Sequence, residues 1–175
     1  GLYGTLFIDE IDTDNFFDPE KSRNQLGFTL GTTIVNVLDE DLTFRLEYTR
    51  INPWVYSNFV QTQVYESSGY VMGHYIKQNA DQLFFQITKR IQRGLEVTAY
   101  YDYVRRGGKA DISYQYSLPS LPFLYGDVTN TTLIGFNVDY EYLHDLYLKG
   151  AIERTSGTYL SGKQIRFGIT LQYGL

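Results

Sequence analysis

Cysteine is absent from the 175-residue chain, which excludes a disulfide framework, a thiolate metal site and a cysteine nucleophile. No uninterrupted apolar run reaches about 18 residues, so the sequence contains no candidate for a membrane-spanning helix. Basic patches are missing as well, because the net charge is −5 and the longest basic run, residues 105–109, is interrupted by two glycines. That run is more typical of a solvated loop than of a binding site, and nucleic acid is not an expected partner.

Aromatic residues and glycine are abundant instead. The chain contains 17 Tyr, 11 Phe and 16 Gly, and 43% of its residues are hydrophobic. Its mean hydropathy is nevertheless slightly negative, at −0.28. Apolar and polar residues must therefore be finely mixed, which is typical of alternating β-strands and unlike membrane helices.

Strict alternation of apolar and polar residues recurs along the chain. It is clearest in residues 42–48, 95–103, 134–142 and 165–175, where it continues to Leu175. Weaker examples of the same pattern occupy residues 2–8, 26–34, 83–87 and 146–152. Each segment would place one apolar face opposite one polar face, as a pleated strand requires. The sequence therefore predicts eight strands.

The connections between these segments alternate in length. Short connections occupy residues 37–41, 91–94 and 143–145, whereas long ones occupy residues 10–25, 52–80, 105–130 and 155–162. Tight turns at one rim and long loops at the other are typical of a bacterial outer-membrane barrel. The turns would then be periplasmic and the long loops extracellular.

A soluble barrel or sandwich shows the same alternation, so other features must distinguish the two. The polar phase contains the small residues Gly27, Gly31, Gly135, Ala151 and Gly168, which suit a crowded lumen more than a solvated surface. Tyrosines at strand ends in the apolar phase suit a membrane aromatic girdle. They are Tyr48, Tyr101, Tyr103, Tyr140, Tyr142 and Tyr173. Both features favour lipid on the apolar face.

These observations predict an all-β fold, an antiparallel transmembrane β-barrel with about eight strands in this chain. Residues 1–175 would form a single outer-membrane barrel domain, or the C-terminal part of a larger barrel, with outer-membrane lipid as partner. The predicted lumen charges are Arg45, Glu47, Glu96, Asp102, Asp139, Glu141, Lys149, Glu153 and Arg166. Because unpaired charges in a dry lumen are costly, we expect these groups to be paired or in contact with water.

The sequence gives little evidence for a catalytic site. The only histidines are His74, in the longest loop, and His144, in a tight turn predicted at the opposite rim. A hydrolase would need a histidine, a nucleophile and an orienting group in one cluster. Metal-ligand spacing is also missing. We therefore predict a non-enzymatic protein without a catalytic site, metal site or cofactor.

The long loops combine aromatic side chains with amides and carboxylates. Such a combination suits sugars, because the C–H faces of sugar rings stack on aromatic rings while their hydroxyl groups form hydrogen bonds. The same aromatic residues could instead pack the loops together or mark the membrane interface.

Two motifs resemble Wzi-type capsule-assembly proteins of the bacterial outer membrane. They are EYTRINPWVY at residues 47–56, and GYVMGH at residues 69–74 followed by Asn79-Ala80-Asp81. The opening LYGTLFIDE at residues 2–10 is also similar to that family. The resemblance implies an outer-membrane barrel of about eighteen strands that binds surface polysaccharide, of which this chain would be the C-terminal part. It also makes residues 52–81 an extracellular loop or a fold into the barrel mouth.

On this resemblance, seven residues are candidates for glycan contact: Arg50, Trp54, Tyr56, Tyr70, His74, Asn79 and Asp81. Three functional hypotheses follow from the sequence. The first is a non-enzymatic outer-membrane barrel that binds or anchors surface (capsular) polysaccharide. The second is a passive pore or structural outer-membrane barrel, and the third is a soluble ligand-binding β-barrel.

Overall fold

A computed structural model of the protein describes residues 1–18, 20–60, 62, 64–160 and 162–174. The fold is all-β, with a 3-10 turn at Ile112–Tyr114. The strands are β1 (Leu2–Glu10), β2 (Gln25–Val35), β3 (Leu42–Ile51), β4 (Glu66–Ser67), β5 (Tyr70–Val71), β6 (Ala80–Gln92), β7 (Leu95–Arg106), β8 (Thr129–Leu143), β9 (Leu146–Gly157) and β10 (Gln164–Tyr173).

Eight long strands form one antiparallel sheet in the order β1-β2-β3-β6-β7-β8-β9-β10. Each long strand pairs with the next long strand in the chain, so successive connections alternate between the two ends of the sheet. The three short connections lie at one end and the four long ones at the other. The predicted eight strands and their alternating connections are therefore confirmed. The sequence did not predict the small hairpin of β4 and β5 inside the longest connection.

The sheet is not closed into a barrel. Its edge strands are β1 and β10, each of which pairs with one neighbour in the described part of the chain. The predicted closed barrel is therefore confirmed only as an antiparallel sheet with two open edges. The predicted continuation of the last strand to Leu175 falls on a residue outside the described ones, and β10 ends at Tyr173.

The strand register separates the side chains into two continuous faces. On one face apolar residues pair across strands, as in Leu46 with Phe85 and Phe136 with Ile152. This apolar face is exposed even in the middle of the sheet, where Leu83 on β6 is 40% exposed. On the other face the partners are polar, as in Thr29 beside Thr49.

Two tyrosines bridge three strands on the polar face in the same manner. Tyr3 lies opposite Gly31, and its hydroxyl donates to the Glu47 carboxylate on the next strand, at 2.6 Å. Tyr100 lies opposite Gly135 and donates to Glu153 beyond it, at 2.5 Å. A Cβ atom at either glycine would overlap the tyrosine ring. The two glycines are therefore required by the rings that lie across them.

Candidate functional site

The long connections gather at one end of the sheet and bind to one another. Gln115, in the connection between β7 and β8, is 1% exposed. Its Nε2 donates to the Ser57 carbonyl at 3.0 Å, and its Oε1 accepts from the Phe59 N–H at 2.7 Å. Ser120 Oγ donates to the Ser22 carbonyl at 2.9 Å. These hydrogen bonds join three separate loops into one structure.

The longest connection, residues 52–79, folds back over the polar face of the sheet. Val55 and Ile76 are fully buried and form the core cluster with residues whose side chains lie on that face at the loop end, namely Ile51, Ala80 and Val104. Burying these apolar side chains removes them from water and holds the segment in place. The main buried core therefore lies on the polar side of the sheet, and the apolar face is left uncovered.

Tyr56 is the centre of a second group of contacts within this segment. Its ring lies against Phe7, with ring centroids 5.0 Å apart. Its hydroxyl accepts from the His74 backbone N–H at 3.2 Å, and its own backbone N–H donates to Asp9. Burial lowers the pKa of His74 below its ordinary value, although the carboxylates of Glu47 and Asp102 oppose this shift.

Tyr75 connects the same segment to the sheet. Its hydroxyl donates to Asp102 Oδ2 at 2.9 Å, and Gln82 Nε2 donates to Asp102 Oδ1 at 2.8 Å. Burial, together with the hydrogen bond to Asp102, raises the pKa of Tyr75. The phenol therefore keeps its proton across the physiological range and remains a hydrogen-bond donor.

Two cavities at the loop end share Trp54. The first, of about 290 Å³, lies between residues 77–79 and residues 106–110. The second, of about 330 Å³, includes Arg50 and Phe123 in its lining. The Arg50 guanidinium lies 3.8 Å from the centroid of the Phe123 ring, a cation–π contact. Both cavities combine aromatic, amide and cationic groups.

The seven predicted glycan-contact residues do not form one site in this structure. Trp54 and Asn79 line the first cavity, and Arg50 and Trp54 line the second. Tyr56 and His74 line a third cavity, of about 270 Å³.

The two remaining candidates lie apart from these cavities. Tyr70 is 79% exposed on the β4–β5 hairpin. Asp81 is buried at 3% exposure and ion-paired with Arg105. A structural role in fixing the loop end of β6 therefore accounts for the Asp81 carboxylate.

The predicted lumen charges all lie on β3, β7, β8, β9 or β10, and several are engaged. Arg45 Nη2 lies 2.8 Å from Glu47 Oε2. Asp102 and Glu153 accept the tyrosine hydrogen bonds described above.

The other predicted lumen charges lie nearer the short-turn end or the β10 edge. Lys149 is opposite Asp139, and Arg166 is opposite Glu153. Glu96, Asp139 and Glu141 line an open cavity of about 620 Å³ at the short-turn end. The polar face therefore carries cross-strand pairs of opposite charge along β8, β9 and β10.

Sequence reasoning missed most of the lining of the first cavity. The run at residues 105–109, which is typical of a solvated loop, contributes Arg106, Gly107, Gly108 and Lys109 to that cavity. Asn79 holds the run in place, because its Nδ2 donates to the Gly108 and Tyr125 carbonyls, both at 3.1 Å. The only signal in the sequence was the cluster of three cations around two glycines.

The described residues contain no helix that is long and apolar enough to cross a membrane. They also contain no group of three or more His, Asp or Glu side chains that could hold a metal ion. Neither a protein-family model, nor a curated protein, nor a solved structure matches this chain. The resemblance to Wzi-type proteins therefore stays a prediction.

Proposed function

We propose that this chain forms the wall of an outer-membrane β-barrel and binds surface polysaccharide at its long-loop end. The observation that carries the membrane part is the apolar face, which is continuous across all eight long strands and exposed. Phe136 on β8 is 43% exposed although β8 is paired on both sides. Exposed apolar surfaces wider than a few hundred Å² mark interaction with lipid or another protein.

Charged residues bound this apolar face at both ends. On β6 the apolar side chains of Leu83, Phe85 and Ile87 lie between Asp81 at the loop end and Lys89 at the turn end. Asp81 and Lys89 are separated by eight residue steps along the strand, which span about 26 Å. At the usual tilt of about 40°, this height is about 20 Å, close to the roughly 25 Å apolar band of outer-membrane barrels.

The position of the buried core also favours lipid over a soluble barrel. In a soluble barrel the apolar faces of the strands would enclose the core. Here residues 52–79 pack against the polar face, with Val55 and Ile76 fully buried. This packing leaves lipid as the natural environment of the apolar face, and it also narrows any passage along the polar face.

Closure of the sheet belongs to the same proposal. An unpaired strand edge in hydrocarbon leaves backbone N–H and C=O groups without partners, at several kcal/mol each. We therefore expect the edges of β1 and β10 to be paired in the membrane. The intact mass of the native protein, with a heat-modifiability gel, separates the two possible closures. A mass near 20.3 kDa means that β1 pairs with β10, and a mass more than twice as large means that additional strands lie between them.

Glycan binding is supported by the two cavities that share Trp54 in their linings. Aromatic rings, amides and guanidinium groups at an extracellular rim suit the stacking and hydrogen bonding of sugars. The packed segment 52–79 favours this function over a wide passive pore. Conductance in a planar bilayer distinguishes the two, because an open pore would conduct and the glycan-binding barrel would conduct weakly or not at all.

A matched pair of substitutions tests the membrane assignment. Phe136→Arg places a charge on the apolar face near its middle, which costs about 2–4 kcal/mol in lipid. Asn137→Arg places the same charge one residue along β8, on the polar face. We expect Phe136→Arg alone to lower the yield of the heat-resistant assembled form. Equal assembly of the two variants would contradict the assignment of lipid to the apolar face.

Affinity electrophoresis with capsular polysaccharide tests the binding part of the proposal. Protein purified in detergent should be retarded by the polysaccharide, and Trp54→Ala should reduce this retardation. Retardation that persists unchanged in Trp54→Ala would place the glycan site elsewhere, and no retardation of the native protein would contradict glycan binding.

A further inference from the structure

The first cavity beside Trp54 has a charge that contrasts with the rest of the chain. Three cationic residues line it, Lys77, Arg106 and Lys109, whereas its lining contains no aspartate or glutamate. The whole chain carries a net charge of −5. None of the three cations forms an ion pair with a carboxylate among the described residues. Arg106 Nε donates to the Ile76 carbonyl at 3.2 Å, which holds its guanidinium beside the cavity.

Buried polar atoms without partners lie in the same lining. Trp54 and Asn79 are each 6% exposed, and Trp54 Nε1 and Asn79 Oδ1 have no hydrogen-bond partner in the described part of the protein. The side-chain amide oxygen of Gln78, Oε1, also has no hydrogen-bond partner among the described residues. Leaving such groups buried and unpaired costs about 1–3 kcal/mol each. The three residues that carry this one donor and two acceptors all line the first cavity.

Backbone strain is concentrated at the same place. Trp54, Lys77 and Asn79 all have positive φ angles, of 70°, 62° and 53°. Non-glycine residues in this region cost about 1–3 kcal/mol each and cluster at ligand sites when the surrounding structure maintains them. All three residues line the first cavity.

We propose that this cavity binds the carboxylate-bearing sugar unit of an acidic polysaccharide. The proposal rests on the glycan-binding function and specifies its ligand class. The cations would neutralise the carboxylate, the Trp54 indole N–H would donate to an oxygen, and the amide oxygens would accept from hydroxyl groups.

The size and lining of the cavity distinguish a sugar from a small inorganic anion. Its volume of about 290 Å³ is just below the usual range of ligand pockets, which begins at about 300 Å³. It therefore accommodates one ring rather than an extended chain. Pro53, Trp54, Leu121 and Tyr125 supply apolar and aromatic surface, which suits the C–H faces of a sugar ring and offers nothing to free phosphate.

Trp54 is the only tryptophan in the chain, so its fluorescence reports directly on this cavity. Native protein in detergent is titrated with trigalacturonate, with neutral maltotriose and with inorganic phosphate. We expect a saturable change with trigalacturonate that weakens as ionic strength rises. Maltotriose and phosphate should bind at least tenfold more weakly.

Charge-removing variants complete the test. Lys77→Gln and Lys109→Gln should each weaken trigalacturonate binding by about two- to fivefold, as expected for single exposed charges. Lys163→Gln is the matched control, because Lys163 is an exposed lysine in another long connection and lines none of the cavities described here. It should bind trigalacturonate like the native protein.

The outcomes separate this inference from the function on which it rests. Equal binding of maltotriose and trigalacturonate, or equal effects of all three lysine variants, would overturn the acidic-sugar assignment. So would the absence of any fluorescence change with trigalacturonate, or equal affinity for phosphate. Affinity electrophoresis with polysaccharide is run on the same samples. If the double variant of Lys77 and Lys109 is retarded like the native protein, glycan binding stands and this cavity is not its site. If the native protein itself is not retarded by the polysaccharide, the acidic-sugar assignment and the proposed glycan-binding function are both wrong.

Discussion

The tyrosine bridges across glycine allow a specific test of how the polar face is held together. Replacing Gly135 with alanine introduces a methyl group where the Tyr100 ring lies. The backbone of β8 cannot easily shift, because Gly135 is paired with Tyr100 on one side and with Glu153 on the other. The ring must therefore rotate away and give up its 2.5 Å hydrogen bond to the Glu153 carboxylate.

The expected loss of stability follows from two opposing terms. A hydrogen bond to a charged group contributes about 1.5–3 kcal/mol. Replacing glycine with alanine within a strand stabilises the fold by about 0.5–1 kcal/mol, because alanine loses less backbone entropy on folding. Gly135→Ala should therefore destabilise the fold by about 0.5–2.5 kcal/mol. Gly168→Ala is the matched control, because Gly168 lies on the same face of the sheet with no atom within 4 Å of its added Cβ.

Unfolding in urea, followed by loss of the heat-modifiable form, measures the effect. We expect Gly135→Ala to unfold at lower urea than the native protein, and Gly168→Ala to unfold at the same or slightly higher urea. The decisive comparison is a double-mutant cycle with Tyr100→Ala, which removes the ring. In that background Gly135→Ala should stabilise the fold by about 0.5–1 kcal/mol, because no ring is displaced. If it destabilises equally with and without Tyr100, the reasoning is refuted.

Three further predictions concern the loop end of the sheet. Burial lowers the pKa of His74 below its ordinary 6.5, so the unfolded chain takes up the proton first as pH falls. Its contribution to stability is therefore complete above about pH 6.5 and declines below it, and His74→Gln should reduce this slope in urea unfolding measured from pH 5 to 8. Arg105→Ala leaves Asp81 buried without its ion pair and should lower the free energy of unfolding by about 2 kcal/mol or more. Arg90→Ala removes an exposed ion pair and should lower it by less than about 1 kcal/mol. Equal losses of stability in thermal unfolding of the two variants would contradict this prediction. Ile76→Ala opens a cavity in the core and should cost about 2–4 kcal/mol, with faster proteolysis of residues 52–79 at unchanged β-sheet circular dichroism.

The strands could be predicted from the sequence because a strand is a local pattern. Alternation in residues 95–103 and 134–142 requires only a two-residue period, and both segments lie within the observed strands β7 and β8. The weaker segments were predicted in the right places but too short. Residues 83–87, for example, belong to the 13-residue strand β6, Ala80–Gln92. Its ends carry charged and amide residues, which hide the alternation at both rims.

The long loops could not be predicted in the same way. Gln115 is buried because it meets Ser57 and Phe59, more than 50 residues away in the chain. No local period indicates such a partner. The same reason explains why five of the predicted glycan residues are divided among three cavities and why the basic run at residues 105–109 lines one of them.

The sequence by itself determined the class of fold, the number of long strands, the end at which the long loops lie and the apolar character of one face, since period, turn length and composition are properties of the chain. Only the tertiary structure decided that the sheet is open at β1 and β10 and that residues 52–79 cover the polar face. The tertiary structure also decided that Lys77, Arg106 and Lys109 line one cavity together with Trp54. These features depend on contacts between residues that are far apart in the chain. Such contacts stabilise the fold only after strand pairing has brought those residues together, because closing the loops between them costs entropy.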